Sequence, residues 1–193
     1  MTDKPRGALV VISGPSGAGK TSICNELLRR IPNSRWSVSV TTRPPRGNEV
    51  DGREYHFISP EEFRRMVERD ELLEYAQYLG HWYGTPRAPV TEALAAGQVM
   101  IMEIDYQGGV QVARRMPESI RIFVLPPTME TLKARLEGRK TESEELQRQR
   151  LAKADGEIAA AQASGCYPYF ITNDILEDSV QRVLEIIDQE TRR

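Results

Sequence analysis

The sequence predicts an α/β protein in which a parallel sheet is flanked by helices. Three observations support this fold class: a phosphate-binding motif between a strand and a helix, apolar runs that alternate with helical patterns, and one stretch that interrupts the alternation. Strands that alternate with helices along a chain are typical of parallel sheets. With 193 residues, the chain is expected to form a single domain with insertions.

The phosphate-binding motif matches the pattern G-x-x-x-x-G-K-[ST]. It is formed by Gly14, Pro15, Ser16, Gly17, Ala18, Gly19, Lys20 and Thr21. The apolar run 8–12 before it suits a buried strand, and the segment 23–31 after it has a helical apolar stripe. We therefore expect Lys20 to reach the β- and γ-phosphates of a nucleotide and the Thr21 hydroxyl to bind Mg²⁺. A glycine-rich turn without function is the alternative.

Four further apolar runs are predicted to be core strands, at 37–40, 99–104, 120–125 and 169–172. Helical patterns follow at 110–116, 129–136 and 180–187. Ligands of parallel sheets bind at the carboxyl ends of the strands. The phosphate-binding motif and the acidic residues Glu103 and Asp105 both fall at such ends.

The stretch 41–84 interrupts the alternation and is rich in Arg, Gly, Pro and Tyr. Short strand-like pieces at 55–57 and 72–78 lie on either side of a helix predicted to run from Pro60 to about Asp70. A capping box that begins at Ser59 marks the start of this helix. We interpret the stretch as an inserted lobe of mixed α+β structure.

A second departure runs from residue 135 to residue 150, where charge alternates densely and apolar residues are few. A solvated helical face is the ordinary interpretation, and a mobile lid that carries arginines over the phosphate-binding motif is the functional one. The predicted single domain therefore divides into a core (1–40, 85–134 and 156–193), a lobe (41–84) and a lid (135–155).

The composition indicates the compartment and the class of partner. The net charge of −2 provides no general field for nucleic acid or an anionic membrane, so neither is expected as a partner. The segment 1–7 lacks an apolar signal core, and no apolar run approaches the roughly 20 residues of a spanning helix, which favours the cytoplasm. Two cysteines and two histidines indicate neither a disulfide framework nor a histidine metal site. Nothing in the sequence indicates an oligomeric state.

The acceptor of the phosphoryl group is predicted to bind in the inserted lobe. Arg43 and Arg46 flank two prolines, and their guanidinium groups can bind a phosphate. Tyr55 and Tyr83 could add hydroxyl donors. Glu74 lies in an apolar strand and could accept paired hydrogen bonds from a base edge. Solvent-exposed arginines, tyrosines that pack in a sheet and an outward-facing Glu74 are the alternatives.

Several segments, in order, resemble the guanylate kinases. The lobe contains SVSVTTRPPRGNE at 37–49, DGREYHF at 51–57 and GHWYGT at 80–85. Farther along the chain are IDYQG at 104–108, RLEGR at 135–139 and TND at 172–174. The resemblance covers nearly the whole chain, from about 8 to 187. It implies the P-loop nucleoside monophosphate kinase fold with a GMP-binding lobe and a helical lid.

The resemblance also implies an activity and a set of site residues. The activity is ATP-dependent phosphorylation of GMP, and of dGMP, with Mg²⁺ as cofactor and ATP and GMP as small-molecule partners. The implied GMP-binding residues are Ser39, Arg43, Arg46, Glu49, Tyr55, Glu74, Tyr83, Thr85, Glu103 and Asp105. Lys20, Arg43, Arg139 and Arg150 are the implied catalytic residues, and Asn173 is expected near the adenine of ATP.

Two positions depart from the family pattern. Glu103 stands at the first position of a segment that is commonly Asp-x-Asp, and Lys140 stands where glycine is usual. A related ribosyl-phosphate kinase and a guanylate-kinase-like scaffold that binds phosphorylated peptides are the alternative functions. The segment 43–55 with Glu74 argues against the first, and the intact Lys20 and Thr21 argue against the second.

Overall fold

A computed structural model of the chain describes residues 7–137 and 144–192. In chain order these form β1 (Ala8–Ser13), α1 (Lys20–Arg30), β2 (Ser34–Trp36), β3 (Ser39–Thr41), β4 (Tyr55–Phe57), α2 (Pro60–Glu68), β5 (Leu72–Tyr78), β6 (His81–Pro86), α3 (Arg87–Ala95), β7 (Val99–Glu103), α4 (Tyr106–Arg115), β8 (Ile120–Leu125), α5 (Met129–Glu137), α6 (Glu144–Ser164), β9 (Tyr169–Thr172) and α7 (Leu176–Thr191). No helix within these ranges is long and apolar enough to cross a membrane.

The larger sheet has five strands in the order β2-β7-β1-β8-β9, and every neighbouring pair is parallel. Successive side chains of a strand point to opposite faces of its sheet. In β1, Val10 and Ile12 pack with residues of α1 and α7 on one face. Leu9 and Val11 pack with residues of α3 and α4 on the other. The prediction of a parallel sheet flanked by helices is confirmed.

The smaller sheet has the order β4-β3-β6-β5 and forms the inserted lobe. β3 pairs in parallel with β4, whereas β6 is antiparallel to both β3 and β5. Helix α2 packs Phe63 against Val40 and Leu72 in a small core of its own. The lobe is therefore mixed α+β, and its strands lie between residues 39 and 86, slightly beyond the predicted 41–84.

The prediction of a core strand at 37–40 is wrong. The strand of the larger sheet is β2, which ends at Trp36, and the Ser37 N–H donates one last hydrogen bond of 2.9 Å to the Ile101 carbonyl. The chain then crosses to the lobe, where Val40 is buried in the small core. An apolar run predicts that a strand is buried, but it does not identify the sheet to which the strand belongs.

The sequence pattern also missed β6 and α3, and it placed the start of α4 too late. Helix α4 begins at Tyr106 rather than Val110, because the Asp105 carboxylate caps it by accepting a hydrogen bond of 2.9 Å from the Gly108 N–H. Two consecutive glycines in its first turns weaken the helical signal. Helix α3 has only two fully buried apolar residues, Val90 and Ala93, which is too few for a clear stripe.

Helix α6 runs across the predicted boundary between lid and core at residue 155. Its side chains join two buried clusters, one through Ala154 beside α5 and one through Ala161 beneath β8. The second half of α6 is therefore part of the core packing. Arg139 and Lys140, the other lid positions of interest, lie outside the described residues.

Tyr167 contacts the start of α4 so closely that only glycine fits at position 109. Its hydroxyl donates to the Tyr106 carbonyl at 3.2 Å. A Cβ atom added at Gly109 would lie 1.8 Å from the Tyr167 hydroxyl oxygen and 3.1 Å from Ser13 Oγ. Ser13 ends β1 at the carboxyl end of the sheet, so this contact fixes α4 where the site is built.

We predict that Gly109→Ala lowers the free energy of unfolding by about 1–3 kcal/mol, because the added methyl group has no space. The matched control is Gly156→Ala in α6, where an added Cβ meets no atom within 4 Å. That control should raise the free energy of unfolding by about 0.5–1 kcal/mol through helix propensity. Urea denaturation measures both values. Equal and small changes in the two variants would contradict the described contact.

Candidate active site

A cavity of about 830 Å³ is lined by residues of both sheets and of α6. The predicted site residues along its wall are Gly14, Ser16, Lys20, Thr21, Ser39, Arg43, Arg46, Glu49, Tyr55, Glu74, Tyr83, Glu103, Asp105 and Arg150. The structure therefore brings the phosphate-binding motif and the arginine-rich lobe to one space. Thr85 and Asn173 are buried behind this surface.

The phosphate-binding loop connects β1 to α1 and depends on its glycines. Gly14 and Gly19 have φ values of 148° and 92°, a region that other residues rarely adopt. A Cβ atom at Gly19 would also lie 2.2 Å from Asn173 Nδ2. The Lys20 ammonium donates to the carbonyls of Gly14 at 2.8 Å and Pro15 at 3.1 Å, so it lies across the mouth of its own loop.

Asn173 contacts the phosphate-binding loop from behind. The side-chain Nδ2 donates to the Ala18 carbonyl at 2.8 Å, and the backbone carbonyl of Asn173 accepts from Arg135 Nη2 at 3.0 Å. The side chain is buried, with 5% of the residue exposed. These contacts give Asn173 a part in shaping the loop, and its proximity to adenine stays a prediction.

Thr21 and Glu103 face each other at the start of α1. The Thr21 hydroxyl donates to Glu103 Oε1 at 3.0 Å, which directs this carboxylate toward the phosphate-binding loop. Hydroxyl and carboxylate oxygens are ligands that suit Mg²⁺. The described residues hold no cluster of three or more His, Cys, Asp or Glu side chains that could bind a metal by themselves. The donor set therefore fits a Mg²⁺ ion that takes its other ligands from phosphates and water.

The loop that follows β3 is organised by an ion pair between Arg43 and Glu49. Arg43 Nη1 and Nη2 each donate to the Glu49 carboxylate at 2.9 Å, and Nη1 also donates to the Pro44 carbonyl at 2.8 Å. Glu49 Oε2 accepts a further hydrogen bond of 2.7 Å from the Arg46 backbone N–H. These hydrogen bonds hold the pKa of Glu49 below its ordinary value, and the bond from Arg43 contributes most to this effect. The loop is therefore fixed with its arginines at the cavity.

Aromatic rings surround the buried Arg43 guanidinium. Its central carbon lies 5.5 Å from the ring centroid of Tyr55 and 5.8 Å from that of Phe57, within cation–π range. The rings of Tyr55 and Tyr83 are 5.8 Å apart. The hydrogen bond with Glu49 is the largest of the effects that raise the pKa of Arg43. Burial of the guanidinium opposes this rise, and the interaction with Tyr83 adds to it. Arg43 is thus neither solvent-exposed nor free to swing away.

Glu74 lies on β5 with its carboxyl group directed inward, and 5% of the residue is exposed. Its Oε1 accepts a hydrogen bond of 2.6 Å from Thr85 Oγ1, which in turn lies 3.4 Å from Ser39 Oγ. Burial raises the pKa of Glu74 to about 7; the Thr85 hydrogen bond opposes this rise, and the negative charge of Asp105 adds to it. The alternative of an outward-facing Glu74 does not hold.

Arg150 reaches the phosphate-binding loop from α6. Its Nη1 lies 3.4 Å from Ser16 Oγ, and its side chain lines the cavity. The described part of the chain therefore brings one predicted lid arginine to the loop.

A sequence model of the guanylate kinase family matches residues 6–190 of the chain. The chain belongs to the guanylate kinase family. A guanylate kinase of Desulfitobacterium hafniense is 45% identical over 185 residues, which cover 96% of this chain and 91% of the relative. A guanylate kinase of Symbiobacterium thermophilum is 46% identical over 193 residues, which cover 100% of this chain and 90% of the relative.

A solved structure agrees with the sequence relatives. The crystal structure of guanylate kinase from Anaplasma phagocytophilum superposes with a TM-score of 0.79 at 33% identity and covers 98% of this chain and 89% of the other. The P-loop nucleoside monophosphate kinase fold is consistent with this similarity. The comparisons favour neither a ribosyl-phosphate kinase nor a phosphopeptide-binding scaffold.

The guanylate kinase cavity also has lining residues that sequence reasoning missed. Tyr78 follows Glu74 at a spacing that places both on one face of β5, and this period could have indicated it. Lys153 follows Arg150 by nearly one helical turn, and its Nζ lies 5.4 Å from the Tyr78 ring centroid and 3.1 Å from Glu157 Oε1. No sequence pattern indicates that Trp36 lines the cavity, because its contact with the cavity depends on where β2 ends.

We predict that Glu74→Gln changes the pH dependence of stability. A carboxyl group with a pKa of about 7 in the fold and 4.5 in the unfolded chain destabilises the fold progressively as pH rises between these values. Relative to Glu74→Gln, the unliganded wild type should lose up to about 3 kcal/mol of unfolding free energy over that range and no more above it. The exposed Glu92→Gln is the control. Urea denaturation at several pH values tests this, and a pH-independent difference would contradict it.

Proposed function

We propose that the protein transfers the γ-phosphoryl group of ATP to GMP, giving ADP and GDP, and that it also accepts dGMP. The observation that carries the proposal is one cavity that holds a phosphate-binding loop at one wall and Arg43, Arg46 and the buried Glu74 at the other. The guanylate kinases at about 45% identity over most of the chain support the same activity.

Glu74 is proposed to select guanine. Guanine presents N1–H and its exocyclic amine side by side, and an ionised carboxylate can accept both hydrogen bonds, whereas adenine has an unprotonated N1. The Thr85 hydroxyl holds one oxygen of the carboxylate, and the Ser39 hydroxyl beside Thr85 extends this polar wall. A buried acceptor that is left unpaired by the wrong base provides strong discrimination.

The GMP phosphate is proposed to bind Arg43, Arg46, Tyr55 and Tyr83. The first of these arginines is already fixed by Glu49 and by aromatic rings, so little side-chain entropy is lost when the phosphate binds. Glu49 lies in the acceptor site as the residue that orients the arginine loop. Asp105 lines the same site and keeps α4 capped.

Phosphoryl transfer is proposed to depend on alignment and charge. The attacking oxygen belongs to a phosphate that is already ionised at neutral pH, so no general base is required. Lys20 would exchange its bonds to Gly14 and Pro15 for the donor phosphates, while Arg43 and Arg150 would neutralise charge around the transferred group. Arg139 is proposed as a further lid arginine from its place in the family pattern.

Thr21 and Glu103 are proposed to hold Mg²⁺. A bound magnesium ion would supply positive charge to the donor phosphates. The Thr21 to Glu103 hydrogen bond favours the donor side of the cavity for this carboxylate, rather than direct contact with guanine. The extra methylene relative to aspartate gives it that reach.

Each of the three predicted parts of the chain is assigned one function. We propose that the core binds ATP, the lobe (41–84) binds GMP, and the lid (135–155) completes the site. ATP and GMP are cytoplasmic metabolites, so a cytoplasmic location is part of the proposal.

The acceptor preference tests the proposed function directly. ADP formation from ATP should be at least about 1,000-fold more efficient, as kcat/KM, with GMP than with AMP or CMP, because the wrong bases leave Glu74 unpaired. dGMP should react as well, since the residues proposed to bind GMP are assigned to its base and its phosphate. ADP formation that is no greater with GMP and dGMP than with AMP, CMP or no acceptor would refute the proposal.

Lys20→Ala should lower kcat by about 100-fold or more, because it removes the ammonium group proposed to stabilise the negative charge of the transferred phosphoryl group. The control is Lys133→Ala, which changes an exposed lysine of α5 and should keep kcat within about twofold. Coupled ADP assays measure both. Retained activity in Lys20→Ala would overturn the assignment of the donor site.

A further inference from the structure

The amide of Gln111 on α4 bonds to both backbone groups of Tyr75 on β5. Gln111 Nε2 donates to the Tyr75 carbonyl at 2.7 Å, and the Tyr75 N–H donates to Gln111 Oε1 at 3.2 Å. β5 is an edge strand of its sheet, so this side of it has no neighbouring strand. The Gln111 amide therefore satisfies the strand edge at one residue, as a further strand would.

That residue follows Glu74 directly. The pairing of β5 with β6 shifts register between Leu72 and Glu74, an irregularity that interrupts the ladder just before the carboxylate. Such irregularities redirect a side chain and leave the local backbone less supported. Gln111 fixes the backbone on the other side of Glu74.

Glu74 also packs against α4 itself. A Cβ atom added at Gly108 would lie 2.7 Å from Glu74 Oε2. Gly108 and Gln111 are three residues apart, so they lie on one face of the helix. This face of α4 contacts β5 at two places, the carboxylate of Glu74 and the backbone of Tyr75. A shift of Tyr75 relative to α4 would therefore displace the Glu74 carboxylate.

We propose that Gln111 is a positioning residue for guanine recognition: its side-chain amide fixes the β5 backbone at Tyr75 and thereby holds the Glu74 carboxylate at the base. This inference rests on the role proposed above for Glu74. Gln111 makes no proposed contact with either substrate and acts through the backbone of β5.

A second anchor keeps β5 in place when Gln111 is changed. Arg115, also on α4, donates to the Leu72 carbonyl and pairs with Asp70 Oδ1 at 3.0 Å. The start of the strand therefore stays attached to the core. Loss of the Gln111 amide should loosen the segment from Glu74 onward without detaching the lobe.

The test begins with Gln111→Leu, which keeps the size of the side chain and removes both hydrogen bonds. The KM for GMP should rise about 10-fold, while the KM for ATP stays within about twofold and kcat within about threefold. The matched control is Gln181→Leu, which changes an exposed glutamine on α7 and should leave all three constants within about twofold. An unchanged KM for GMP, or equal changes for GMP and ATP, would overturn the proposal.

A double-mutant cycle distinguishes positioning from a general structural effect. In a Glu74→Gln background, Gln111→Leu should raise the KM for GMP less than about twofold, because the group that it positions is already altered. The same 10-fold rise in both backgrounds would overturn the proposal.

The Glu74→Gln variant alone separates this inference from the assignment on which it rests. If Glu74→Gln keeps the full preference for GMP over AMP, the role of Glu74 fails and the Gln111 proposal fails with it. If Glu74→Gln abolishes the preference but Gln111→Leu changes nothing, only the Gln111 proposal fails.

Discussion

The carboxyl group of Glu74 is buried against α4, and that contact joins the two sheets of the molecule. A buried carboxylate is costly unless its oxygens have partners, and here Thr85 supplies one hydrogen bond while Gly108 leaves space for the second oxygen. Gln111 and Arg115 of the same helix bond to neighbouring backbone groups of β5 and reinforce this connection. Because the carboxylate that we propose to bind guanine also packs against α4, the position of the lobe and the polarity of the cavity are set together.

The positive charges of the cavity are held in a different way. Arg43 keeps a carboxylate and aromatic rings as constant partners, so its guanidinium is in place before an anion arrives. Lys20 instead rests on carbonyls of its own loop, partners that it can exchange at small cost. One wall is therefore preorganised, and the other contains a cation that can follow its ligand.

Much of this could be predicted from the sequence, because the relevant signals are local. The phosphate-binding loop, the capped start of α2 and the buried apolar run of β1 follow from short patterns of glycine, capping and apolar residues. The assignment of residues 37–40 failed because the destination of a strand depends on distant packing. The contacts of Asn173 with Ala18 and of Thr21 with Glu103 join positions far apart in the chain, and no local pattern encodes them.

Helix α6 has a mechanical consequence because it is one continuous element from 144 to 164. Ala161 fixes its far end in the core, whereas Arg150 lies eleven residues nearer the cavity. At 1.5 Å per residue, this is a lever arm of about 16 Å, so a rotation of about 10° at the pivot would move Arg150 by about 3 Å. A displacement of that size is comparable to the length of one hydrogen bond. Slight repacking around the pivot would thus be amplified into making or breaking the contact of Arg150 with Ser16 in the phosphate-binding loop.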